Sequence, residues 1–246
     1  MRNRVAAGLL VVAFAMAGVA AGHGNAAGPK ADGIRCELSL EGVAPEERRT
    51  DVEEPVLAVT KESSGLVKGY LFSQSAVLMA QNVCSEPVQV MWESRREGLR
   101  IDGVPFTGSA VSEVPVYDGD PLGARSWQGS SDNRKVEFNK VELDIRLGTD
   151  LQQVSAVPQD DGSIDVIYMA LKYTPDAKGL APYPDIGVTV QKRCDGGDWT
   201  ELAKTVSSPD GEFNVTIAPD ECADLELRGF VDDAPDAWGL PVALSL

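Results

Sequence analysis

The sequence predicts an all-β protein, an immunoglobulin-like or related β-sandwich in two domains, on three observations. Apolar and polar residues alternate over short runs, turn residues punctuate the chain between those runs, and the 3.6-residue period of helices is scarce. A proline-rich stretch without periodicity divides the pattern in two.

Residues 56–60, 66–72, 88–92 and 114–117 are short apolar runs and strand candidates. The clearest alternation sets Val141, Leu143, Ile145 and Leu147 against Glu142, Asp144 and Arg146, the pattern of a half-buried strand. Val136 and Phe138 extend it, but the phase slips at Asn139 and Lys140, which predicts a bulge or short turn. Residues 164–173 are apolar on both faces, as a central strand buried on both sides would be. Residues 45–49 fit a short helix with proline in its first turn, and residues 75–81 fit either a helix or a strand.

Residues 174–184 carry three prolines and polar turn residues, so they read as a linker or long ordered loop between domains at residues 28–178 and 185–246. Beyond it come Val188 and Val190; Trp199 and Leu202; Phe213, Val215 and Ile217; Leu225 and Leu227; and Val242, Leu244 and Leu246, about five short strands. So short a domain makes a marginal core on its own, where a local disulfide helps.

The leader is distinct. Arg2 and Arg4 precede an uncharged stretch from Val5 to Ala21, which is the layout of a secretory signal peptide over residues 1–27. Cleavage fits after Ala21 or, preferably, after Ala27. A membrane anchor is the alternative, but about 17 uncharged residues thinned by Gly and Ala fall short of the roughly 20 strongly apolar residues of a span. No cysteine for lipid attachment lies near the cleavage region, and no later segment is apolar enough to span a bilayer. The mature chain is therefore expected to be secreted, periplasmic or held at the cell surface.

With 22 basic against 38 acidic residues the formal charge is −16, and the basic residues are scattered or at most doubled, as in Arg48-Arg49 and Arg95-Arg96. That excludes nucleic acid as a partner, because phosphate binding needs clustered cations. The four cysteines, Cys36, Cys84, Cys194 and Cys222, are expected to pair in an oxidising compartment. Of the three connectivities, Cys36 with Cys84 and Cys194 with Cys222 is preferred, because those pairs are nearest in sequence and fall either side of the proline-rich stretch. Metal ligation is disfavoured by the lack of a Cys-x-x-Cys motif and of any histidine after residue 23.

The stretch Val188-Thr189-Val190, then Asp198-Trp199-Thr200-Glu201-Leu202-Ala203-Lys204-Thr205, then Ser208-Pro209-Asp210-Gly211-Glu212-Phe213-Asn214-Val215 resembles prealbumin-like or carboxypeptidase-regulatory-like β-sandwich modules. The resemblance covers about a quarter of the chain, and the family's glycine-rich opening is missing. It implies a sandwich with an Asp-Gly hairpin. It implies no activity, since such modules stabilise, space or bind.

His23 is the single histidine and leaves with the leader, which removes Ser-His-Asp and Cys-His catalysis and histidine metal sites from the mature chain. Carboxylate pairs remain for a hydrolase, but a solvated acidic surface is the simpler reading. Three loops could hold calcium: Asp118-Gly119-Asp120; Asp160 and Asp161 with Asp165; and Asp232, Asp233 and Asp236. Ordinary Asp-Gly turn chemistry is the competing reading. Trp92 and Trp199 are expected in the core or between sheets, beside strand and hairpin signals. Trp127 falls in a polar stretch with Arg125, Gln128, Asp132 and Asn133, so it reads as a loop platform for a sugar or protein, or else as a plug over the sandwich end. Trp238, between Asp236 and Gly239 in another polar stretch, is a weaker candidate of the same kind. Asn214-Val215-Thr216 matches the N-glycosylation pattern on the polar face of a strand.

Together these readings point to a non-catalytic protein that binds protein or carbohydrate at the cell surface. A carboxylate hydrolase is the alternative, as is a polymer subunit in which residues 240–246 complement a neighbour's sheet.

Overall fold

The computed structural model describes residues 33–48, 55–219 and 224–245. Residues 1–27, expected to be a leader, with the expected cleavage sites, His23 and Cys222, lie outside the described residues.

The fold class is all-β, as expected. The first sheet is ordered β7 (Ala110–Tyr117), β4 (Ser75–Cys84), β1 (Ile34–Glu41), β9 (Val136–Phe138). Residues 75–81, open between helix and strand in the sequence, are strand, because Ala76, Leu78 and Ala80 alternate inward. The short helix reduces to one 3-10 turn, Pro45–Glu47. Facing this sheet are β6 (Leu99–Thr107), β5 (Gln89–Arg96), β8 (Gly123–Ser130), the first half of β10 (Val141–Pro158), β3 (Val67–Leu71) and β2 (Ala58–Lys61). Leu38, Leu40, Leu78, Trp92, Phe106, Trp127, Leu143 and Ile145 meet in one core between the two sheets.

The predicted phase slip is the place where the chain changes sheets. β9 runs parallel to β1, and Asn139 then substitutes its side chain for a strand partner, Oδ1 accepting from Leu38 N–H and Nδ2 donating to Leu38 O, both at 2.9 Å. Lys140 follows, and β10 begins in the opposite sheet.

β10 is 18 residues long and serves two cores. Its first half pairs with β8 and β3; its second half pairs with β11 (Ile164–Thr174) and delivers Leu151 to a second cluster. Between the halves Gly148 lies against Phe72, where a Cβ would come within 2.4 Å of ring carbons. The second core forms between β10, β11 and β15 (Glu212–Ile217) on one side and the sheet β14 (Thr200–Val206), β13 (Gly187–Cys194), β16 (Leu225–Val231), β18 (Val242–Leu244) on the other.

Two expectations change. Residues 174–184 are not a linker: β11 turns at residues 175–178 and returns as β12 (Gly179–Pro182), an antiparallel edge strand in register from Thr174↔Gly179 to Leu171↔Pro182. The prolines fit because an edge strand has one side with no ladder to serve. The second core therefore draws β10 and β11 from before that segment. Nor is the Ser208–Gly211 turn a hairpin: it carries the chain from β14 in one sheet to β15 in the other.

β17 (Ala237–Trp238) pairs with the midpoint of β10 and closes the seam between the two cores. Trp238 is buried, not a loop platform. Its Nε1 donates to Asp144 O at 3.1 Å, and its ring meets the Arg146 guanidinium at 3.6 Å and Lys68 Nζ at 4.0 Å. Cys36 and Cys84 are bonded to each other, tying β1 to β4 at a pair in register. Cys194 is also disulfide-bonded, and Cys222 lies outside the described residues. Among the described residues no helix is long and apolar enough to cross a membrane.

Candidate functional site

The polar stretch around Trp127 is strand β8, and its alternation separates the residues expected to act together. Arg125 and Trp127 point inward, with relative exposures of 4% and 1%, whereas Gln128 points outward opposite Glu93. Trp127 is thus a core residue and not a surface platform. Arg125 Nη2 donates to Pro121 O at 2.8 Å, and Nη1 lies 3.7 Å from Asp102 Oδ2. Burial lowers the guanidinium pKa of Arg125 and raises that of the Asp102 carboxyl; in each case the opposite charge pulls the other way. Arg125 Nε, Trp127 Nε1 and Ser94 Oγ, the last on the residue opposite Trp127, are buried without hydrogen-bond partners.

The aspartate loops serve local structure. Asp118 Oδ2 accepts from the Tyr173 hydroxyl (3.0 Å), Asp120 Oδ2 from Tyr117 N–H (2.8 Å), and Asp165 Oδ1 from the Thr216 hydroxyl (2.6 Å). Asp161 Oδ1 takes both the Ser163 hydroxyl (2.6 Å) and Ser163 N–H (3.0 Å), which lowers its pKa. Asp160 is exposed beside it. Asp233 and Asp236 meet Lys68 and Lys172. Among the described residues no three acidic, histidine or cysteine side chains gather as a metal-ligand set.

The feature that the sequence reading missed is Trp199. The sequence places it in the core or between sheets, yet it is partly exposed, on the loop between β13 and β14 where Asp195 and Gly196 adopt positive φ. Val188 and Val190 point into the second core, so Gln191 and Arg193 point out; on β16, Leu227 and Val231 point in and Glu226, Arg228 and Phe230 point out. On this outer face the Trp199 ring meets two guanidiniums, Arg228 at 4.2 Å and Arg193 at 4.6 Å from its centroid. Arg193 is forked onto Glu226, with Nε to Oε1 at 3.1 Å and Nη2 to Oε2. Arg228 Nε donates to Gln191 Oε1 at 2.8 Å. A signal was present in the sequence: the residues two positions either side of Trp199 are Gly197 and Glu201, so its strand phase is polar. The arrangement presents an ordered tryptophan with its flanking cations to solvent, which suits recognition of another surface.

No family model matches the chain, and no curated protein matches it. Among solved structures it is similar to bovine butyrophilin (14% identity, 87% of this chain and 98% of that one, TM-score 0.30). It is also similar to a tetra-tandem repeat in the extending region of a large adhesion protein (12% identity, 85% of this chain and 48% of that one, TM-score 0.28). A third is native E. coli alpha-2-macroglobulin (7% identity, 85% of this chain and 14% of that one, TM-score 0.36). The chain thus spans under half of the second and a seventh of the third. At these TM-scores the similarities carry no functional weight.

Proposed function

We propose that this chain is an exported, non-catalytic binding protein of the cell surface that meets a protein partner through the outer face of β13 and β16. The observation that carries this reading is Trp199, kept partly exposed and ordered between Arg193 and Arg228. Tryptophan and arginine are the residue types most enriched where binding energy concentrates. The Cys36–Cys84 disulfide fits an oxidising compartment, and the second sandwich fits the resemblance to prealbumin-like modules.

Two other readings lose ground to particular contacts. A carboxylate hydrolase needs an acid raised by its surroundings opposite a second acid. Asp102, the carboxyl among the described residues that burial raises, sits against Arg125; the nearby Asp120 is already hydrogen-bonded to Tyr117 N–H. A polymer built by donating residues 240–246 needs that strand free, but β18 pairs with β16 of its own chain and Ser245 O accepts from the Tyr168 hydroxyl.

The test is binding of labelled mature protein to intact cells or envelope fractions of the source organism, wild type against Trp199→Ala. A loss of at least tenfold with the melting transition largely kept supports the reading. Equal binding overturns the site, and polysaccharide turnover abolished by one acid-to-amide substitution overturns the non-catalytic reading.

A further inference from the structure

Resting on that reading, we propose that the Trp199 face takes a carboxylate-bearing segment of its protein partner, received by the guanidinium of Arg228. Acidic residues border the face, Glu201 and Glu226 on its strands and Asp195, Asp198 and Asp224 in the adjoining loops, so the attraction for a carboxylate is local to Arg228 and not a property of the whole face.

The two arginines differ in what they still offer. Arg193 has its fork committed to the Glu226 carboxylate, whereas Arg228 uses Nε on Gln191 and keeps both Nη groups without a hydrogen-bond partner among the described residues. Those two groups form the planar pair of donors that a carboxylate accepts bidentately. Contact with Trp199 and the bond to Gln191 already restrict the side chain, so less rotamer freedom is lost on binding. A glycan is the less favoured occupant, because sugars use an open aromatic face and this ring is engaged by two guanidiniums. Phe230 and Ala243, which lie on the same outer face, add apolar contact of the kind protein segments bury.

The experiment measures fluorescence anisotropy of a labelled glutamate-rich decapeptide, its glutamine counterpart, and polygalacturonate as competitor, at low and high salt, on the intact mature protein. Expected are at least tenfold tighter binding of the glutamate peptide, loss of that preference in Arg228→Gln, partial retention in Arg228→Lys, and weakening as salt rises. Equal affinity for the two peptides, or no change in Arg228→Gln with its fold confirmed by circular dichroism, overturns the proposal. Polygalacturonate binding that depends on Arg228 and exceeds that of the peptide overturns the protein assignment in favour of an acidic glycan. The two readings separate: cell binding lost in Trp199→Ala but kept in Arg228→Gln overturns this inference and leaves the proposed function standing, whereas cell binding kept in both removes the two together.

Discussion

Trp127 and Trp199 occupy the reverse of the places that their neighbours in sequence suggest. Trp127, among polar residues, is sealed in the first core, and Trp199, beside apparent strand signals, stands at the surface of the second sandwich. The difference lies in who sits two residues away. Trp127 shares its inward row with Arg125, a buried cation, and Gly129, whose missing side chain admits the Phe138 ring; a Cβ there would lie 2.1 Å from Phe138 Cδ1. An inward row of Arg, Trp and Gly gives no apolar alternation although every member faces the core. Burial is decided by the sheet opposite, not by the local string of polar letters.

The largest expected effect tests that contrast directly. Trp127→Ala should cost about 3–5 kcal/mol, the range for emptying a large aromatic site in a packed core. Trp199→Ala should cost about 1–2 kcal/mol, from two cation–π contacts of roughly 0.5–1 kcal/mol each. Urea midpoints at unchanged slope measure both. Equal losses would mean that Trp199 is a packing residue and would remove the contrast.

Opening the Cys36–Cys84 bridge comes next. The cysteines are 48 residues apart, so loop-closure arithmetic gives about 4 kcal/mol for the double Cys→Ala variant. Because β10 threads both cores, the transition should shift as a whole, read identically by tryptophan fluorescence and far-ultraviolet dichroism. Two separated transitions would show the sandwiches unfolding independently.

The strands legible in the sequence are those with apolar inner rows. β10 and β11 show plain alternation or two apolar faces, and the slip at Asn139 marks a real crossover. β6 was hidden because Gly103 and Pro105 interrupt it, and β8 because its inner row holds a charge and a glycine. β12 was hidden because prolines read as a breaker, although an edge strand of four residues tolerates them. The candidate site was missed because it depends on Arg228, which only the pairing of β13 with β16 brings beside Trp199. Such a neighbour comes from register, and register is a long-range property.

Alkaline titration offers a smaller effect in the two regions. Burial pushes Tyr168, in the second core, and Tyr173, at the seam, up to about 12. A folded state that holds a proton the unfolded chain has released is stable below pH about 10 and loses that advantage as pH rises toward 12. Burial also raises Tyr70 and Tyr183, so absorbance at about 295 nm should show Tyr168 and Tyr173 within a late-titrating group, and Tyr173→Phe should remove one member of it. Ordinary titration near 10 for both would contradict their burial.

The smallest effect separates two tryptophans of the same core. Trp92 Nε1 donates to Asn82 Oδ1 at 2.8 Å, and Asn82, fully buried, passes its own Nδ2 to Gly108 O at 2.5 Å. Trp127 Nε1 has no such partner, and neither has Ser94 Oγ across from it. Phenylalanine at either position removes similar apolar volume, so the cavity costs largely cancel in the comparison. What differs is the group left behind: Trp92→Phe strands the Asn82 carbonyl in a buried site, whereas Trp127→Phe deletes a donor that was already unpaired. Trp127→Phe should therefore be the milder change by about 1–3 kcal/mol, and Ser94→Ala should be neutral or slightly stabilising. If both phenylalanine variants lose the same stability and Ser94→Ala is also costly, Trp127 Nε1 and Ser94 Oγ share an ordered water, and this end of the core is a satisfied polar network.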